Sequence, residues 1–165
     1  MWKTTRGAPE GRPVGGRPTL CAVAGGAFRL RCAGQRELVH VADETWIAAA
    51  PDRVGAAVAE PGVWEQFWPG LAPRLVEARG VEGVRLAVEE PPGERTRGWF
   101  GTAELFVHPE FDGVVLFQFL RLDPAPGRRV TARQVRREQA RRSATALAAS
   151  WRLKDELEGR PAARR

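Results

Sequence analysis

Val41-Ala-Asp-Glu-Thr-Trp-Ile-Ala-Ala-Ala-Pro-Asp-Arg-Val54 is where the chain changes character. Its first half alternates with period two: Val41, Asp43, Thr45, Ile47 and Ala49 fall on one side, and Ala42, Glu44, Trp46 and Ala48 on the other. That is the pattern of a strand, here spanning 39–49. Pro51 then suits a first helical turn, because it lacks the N–H that a helix start leaves unpaired, and Val54, Ala57 and Val58 share one side of the helix it opens. A strand running directly into a Pro-capped helix marks the start of the foldable part of the chain.

Upstream, residues 1–40 are rich in Arg and Gly and show no periodicity. They hold seven of the 26 basic and two of the 20 acidic residues, so they carry +5 of the formal +6. A strongly basic chain ordinarily suggests nucleic acid or an anionic membrane. Here the excess belongs to a segment with little capacity to fold, and no nucleic-acid partner is expected. We read 1–38 as a disordered leader or as the product of a start assigned upstream of Val41, and 160–165 as a basic tail. Both cysteines, Cys21 and Cys32, lie in the leader, so the expected domain, 39–159, has no disulfide or thiolate metal site, which fits a cytoplasmic protein. Leu20–Phe28 is too short and too Gly-interrupted for a membrane span.

Downstream of Val54 the punctuation is regular. Pro61-Gly62 closes the first helix, and a short aromatic helix, 63–68, is stopped by Pro69-Gly70. Strands are expected at 71–79, 84–90, 98–108 and 114–122, separated by Gly80 to Gly83, Pro91-Pro92-Gly93 and Asp112-Gly113; short connections favour antiparallel neighbours. From about Thr131 to Leu157 there is no Gly or Pro, and Arg, Ala, Gln, Glu and Leu dominate, giving one long helix closed by Gly159. Leu147, Trp151, Leu153 and Leu157 are its larger apolar residues, but they form no single clean stripe. The order predicts an α+β fold in which a long C-terminal helix lies across a curved antiparallel sheet.

Several segments together resemble a known family: Ala49-Ala-Pro-Asp-Arg-Val54, Trp64-Glu-Gln-Phe-Trp-Pro-Gly70, Arg79-Gly-Val-Glu-Gly-Val-Arg85, Gly101-Thr-Ala-Glu-Leu-Phe106 and Phe119-Leu-Arg-Leu-Asp-Pro124. Their order and spacing resemble the SRPBCC or START-like helix-grip superfamily, in particular its polyketide cyclase/dehydrase-like branch of actinobacterial type. The resemblance implies a curved sheet gripping the last helix, two short helices after the first strand, and an apolar cavity for a lipid, polyketide or similar hydrophobic molecule. It implies no particular reaction, since a fold hosts many functions. Five strands are expected here, where many members of the superfamily have six or seven.

Alternation in the last two strands leaves two apolar faces. Phe106, Phe117 and Phe119 correspond to bulky positions of the resembled family and are expected to line the cavity, with Trp68 at its rim and Trp151 facing it from the last helix. Glu104 interrupts an apolar strand and needs a partner if buried, with Arg85 or Arg121 in reach on neighbouring strands. Glu104 is therefore the candidate for orienting a polar ligand group or, in an enzyme alternative, for moving a proton in cyclisation or dehydration. His108 has no second His and no nearby Ser or Cys nucleophile, so neither a metal site nor a triad is expected. No phosphate-binding loop follows a strand, and no cofactor is expected. The basic run Arg128 to Arg142 supports a third alternative, an interaction module meeting anionic partners through arginines 133, 137 and 141.

Overall fold

The computed structural model describes residues 38–91 and 98–159. Apart from Leu38, the expected leader falls outside the described residues, as do the tail and most of the Pro91-Pro92-Gly93 turn.

Five strands, β1 (Val39–Ile47), β2 (Ala72–Ala78), β3 (Gly83–Glu89), β4 (Trp99–Glu110) and β5 (Gly113–Pro124), form one antiparallel sheet in the order β1-β5-β4-β3-β2. Helices α1 (Pro51–Ala59) and α2 (Pro61–Phe67) follow β1, and α3 (Ala132–Leu157) closes the fold. This curved sheet with two short helices after the first strand and a long C-terminal helix is a helix grip. One boundary is corrected. Pro61-Gly62 ends α1 but also opens α2, with Pro61 in its first turn, where the missing N–H removes no hydrogen bond.

The register defines two faces. Val39, Val41, Asp43, Thr45 and Ile47 of β1 stand opposite Leu122, Leu120, Gln118, Leu116 and Val114 of β5. Those β5 residues stand opposite Gly101, Ala103, Leu105, Val107 and Pro109 of β4, and Val84, Leu86 and Val88 of β3 continue the same face. Nearly all of these side chains are buried, and they form one core with Val54, Val58, Phe67, Trp68, Val135, Ala146, Ala149 and Leu153 from the helices. Area removed from water at about 25 cal/mol per Å² makes this inner face the main source of stability.

Helix α3 starts where the sequence says it should. The Thr131 hydroxyl accepts from the Gln134 amide, and the Gln134 side chain accepts from the Thr131 amide, a reciprocal capping box that satisfies donors left free by the helix start. Its buried positions are Val135, Arg142, Ala146, Ala149, Ser150, Leu153 and Lys154, a stripe at helical spacing in which small residues let α3 approach the sheet closely. Helix α1 meets the 3-10 turn at Gly80–Glu82 through Gly55, where a Cβ would come within 2.7 Å of the Val81 Cα.

Candidate functional site

Two polar ties hold α3 over the inner face. Near its C-terminal end, Lys154 Nζ donates to the Trp46 carbonyl at 2.6 Å and pairs with Glu158 Oε1 at 2.6 Å, while Glu158 Oε1 also accepts from the Ala48 amide at 2.8 Å. These side chains cover the end of the edge strand β1, whose outward backbone groups no other strand pairs. Further up the helix, the Arg142 guanidinium is 1% exposed. It donates to the Pro69 carbonyl at 2.7 Å and to Glu138 Oε1 at 2.8 Å, and Glu90 Oε1 lies 3.9 Å from its Nη2. Burial pushes the Arg142 guanidinium down, opposed by Glu138. Burial pushes the Glu138 carboxyl up, but donation from Arg141 and Arg142 outweighs it and holds the carboxyl below the usual carboxylate range.

Between these ties lies a polar group in the apolar interior. Gln118 is 1% exposed, and neither end of its amide has a hydrogen-bond partner; Ser150, also 1% exposed, has an unpartnered hydroxyl. Gln118 stands opposite Asp43 on β1 and Leu105 on β4. Ser150 lies one turn back from Lys154 on the buried stripe of α3. A buried polar atom without a partner costs about 1–3 kcal/mol, so the three on Gln118 and Ser150 call for a physical reason.

The residues singled out in the sequence are placed otherwise. Arg85, Glu104, Phe106, Phe117 and Phe119 do come together, but on the outer face, turned away from α3. The expectation that they line the space between sheet and helix is corrected: the register puts Leu105, Gln118 and Leu120 there instead. Both faces carry bulky apolar residues, so alternation alone did not distinguish them. Glu104 pairs with Arg79, which also bonds Glu77 at 3.0 Å, rather than with Arg85 or Arg121. Its carboxylate is thus held in a surface ion pair, remote from the interior where an acid or base for an enclosed ligand would be needed.

Trp68, expected at a rim, is 1% exposed and packs its ring against Phe67 within the core. Trp151 is 41% exposed on α3. His108 is exposed and stacks on Phe106, with ring centroids 6.4 Å apart. Of the basic run, Arg133, Arg136 and Arg137 are exposed, Arg141 bonds Glu138 at 3.1 Å, and Arg128 lies 4.7 Å over the Trp99 ring. Among the described residues no three His, Cys, Asp or Glu side chains are grouped to hold a metal ion, and no helix is long and apolar enough to cross a membrane. Sequence reasoning missed Gln118 and Ser150. The available signal was a lone amide in the apolar run Val114–Leu122, on the face opposite Phe117 and Phe119.

No family model and no curated protein matches the sequence. Similar solved structures include an Aha1 dimer from Colwellia psychrerythraea (11% identity, 73% of this chain and 96% of that one, TM-score 0.49). A STAR-related lipid transfer protein from Xanthomonas axonopodis is 17% identical over 78% of this chain and 90% of that one, with a TM-score of 0.44. The di-domain ARO/CYC StfQ from the steffimycin biosynthetic pathway is 19% identical over 74% of this chain and 52% of that one, with a TM-score of 0.41.

Proposed function

We propose that this protein binds a hydrophobic small molecule between α3 and the inner face of the sheet, in keeping with its resemblance to the SRPBCC or START-like superfamily. The observation that carries the proposal is the Gln118 amide, buried and without a partner at both ends in an otherwise apolar wall. An amide offers two donors and an acceptor, and the Ser150 hydroxyl adds one of each. An apolar ligand with a carbonyl or hydroxyl group would satisfy them, while Val41, Leu105, Leu116, Leu120 and Trp68 contact its hydrocarbon. Binding sites of this kind are mostly apolar with a few placed polar groups.

Neither amide atom of Gln118 is open to solvent, so ligand access requires α3 to lift from the sheet. The ties that yield are those of Arg142 to Pro69 and Lys154 to Trp46. The geometry favours a binder over a cyclase: the only acid singled out for proton transfer, Glu104, is committed to Arg79 on the other face.

The test is a thermal-shift series with medium-chain alkanes, alcohols and ketones, run on the wild-type chain and on Gln118→Leu. Binding predicts a rise in Tm for wild type with alcohols and ketones that the variant loses. No shift with any compound, or equal shifts in both proteins, would overturn the assignment.

A further inference from the structure

The outer face of the sheet is unusually apolar for a surface. Phe117 stacks on Phe119 at 6.3 Å and 7° and meets Phe106 tilted, at 6.2 Å and 33°, with Phe119 38% and Phe100 42% exposed. Contiguous aromatic patches of this kind mark interaction sites. The register supplies the rest. Phe117, Phe106, Glu104 and Phe119 form a four-residue block, because Phe117 stands opposite Phe106 and Phe119 opposite Glu104. Glu44 on β1 flanks the block at Phe117, and Arg85 on β3 flanks it at the diagonal corner, Glu104. Both are exposed, and among the described residues neither has an ion-pair partner within 4.0 Å. The one acid inside the block, Glu104, is already neutralised by Arg79.

We propose that this face is an interface for a second copy of the chain, related by a two-fold axis through the centre of the block. The centre is the midpoint between Glu44 and Arg85, and an axis in the plane of the face, perpendicular to the line joining them, stacks one block on the other and carries Glu44 of each copy onto Arg85 of its partner. A two-fold contact requires such self-complementarity. Within one copy Arg85 already faces Glu77 across β2 and β3 and helps Arg79 to hold its carboxyl below the usual carboxylate range, and the contact to Glu44 of the partner adds a second acid to it. The interface uses the face opposite the proposed ligand site and stands independently of it.

Sedimentation equilibrium of the full chain over roughly 1–100 μM tests this, with circular dichroism to verify folding. Wild type should be dimeric and Phe119→Lys monomeric. Glu44→Arg and Arg85→Glu, both exposed and tolerant positions, should each weaken the dimer by about tenfold, and combining them should restore it. A monomer throughout the range, a dimer that survives Phe119→Lys, or a double variant no tighter than the singles would overturn the proposal.

Discussion

Arg142 of α3 and Pro69, 73 residues earlier in the chain, are joined by a 2.7 Å hydrogen bond from a buried guanidinium to a backbone carbonyl. This contact fastens the end of α2 to the final helix. Removing the guanidinium leaves the Pro69 carbonyl without its side-chain donor and the Glu138 carboxylate with Arg141 alone. Arg142→Ala should therefore destabilise the fold by about 3–5 kcal/mol, the range for breaking a buried pair, and Arg142→Met by less because the stem packing is kept. Urea unfolding of the three proteins measures both.

Glu138 makes stability depend on pH. Its carboxyl is held below its ordinary value in the folded chain by Arg141 and Arg142, against the opposing effect of burial. A depressed folded value means that the stabilisation is complete above the unfolded value, about 4.3, and is lost as pH falls through the folded one. Glu138→Gln should lower stability near pH 7 by about 1–3 kcal/mol and flatten the loss below pH ~4. Denaturation midpoints across that window would show it.

Gln118→Leu should do the opposite at neutral pH. It removes a buried amide with no partner and replaces it with an apolar side chain of similar size, so stability should rise by about 1–3 kcal/mol. Functional residues often carry such a stability cost. A fall in Tm would show that the amide is satisfied in the ground state.

Phe111 gives a fourth handle on stability. It is 97% exposed at the tip of the β4–β5 hairpin and has φ 51°, a region that favours Gly at the first position of a two-residue turn. Phe111→Gly should stabilise the fold by roughly 0.5–1 kcal/mol and remove an exposed aromatic ring.

The order of elements was legible because local chemistry marked each break: Pro51, Pro69-Gly70, Asp112-Gly113 and Gly159. The buried side of α3 was not. Its stripe includes Arg142, Ser150 and Lys154, which break the apolar period and are buried only because Pro69, Glu138, Trp46 and Glu158 lie within reach. Of the four larger apolar residues, Leu153 is buried and Leu157 packs against the core, but Leu147 and Trp151 are 40% and 41% exposed. The sheet faces failed to separate for a related reason. Phe106, Phe117 and Phe119 are larger than Leu105, Leu116 and Leu120, yet the smaller set lies inward, in a core whose rings come from Trp64, Phe67, Trp68 and Trp99. Size pointed one way and packing went the other. Glu104 was read as needing a partner only if buried, with Arg85 or Arg121 in reach, and it pairs with Arg79 near the surface instead. Its partner, Arg79, follows a register shift in β2 between Leu75 and Glu77, which no spacing in the sequence announces.

The central claim, a hydrophobic ligand seated against Gln118 beneath α3, is tested most directly by native mass spectrometry of the protein purified from the cells that make it, followed by denaturing extraction. The account predicts a stoichiometric apolar molecule bearing a carbonyl or hydroxyl on the wild-type chain and its loss from Gln118→Leu. A ligand-free wild-type protein, or a molecule retained equally by the variant, would contradict it.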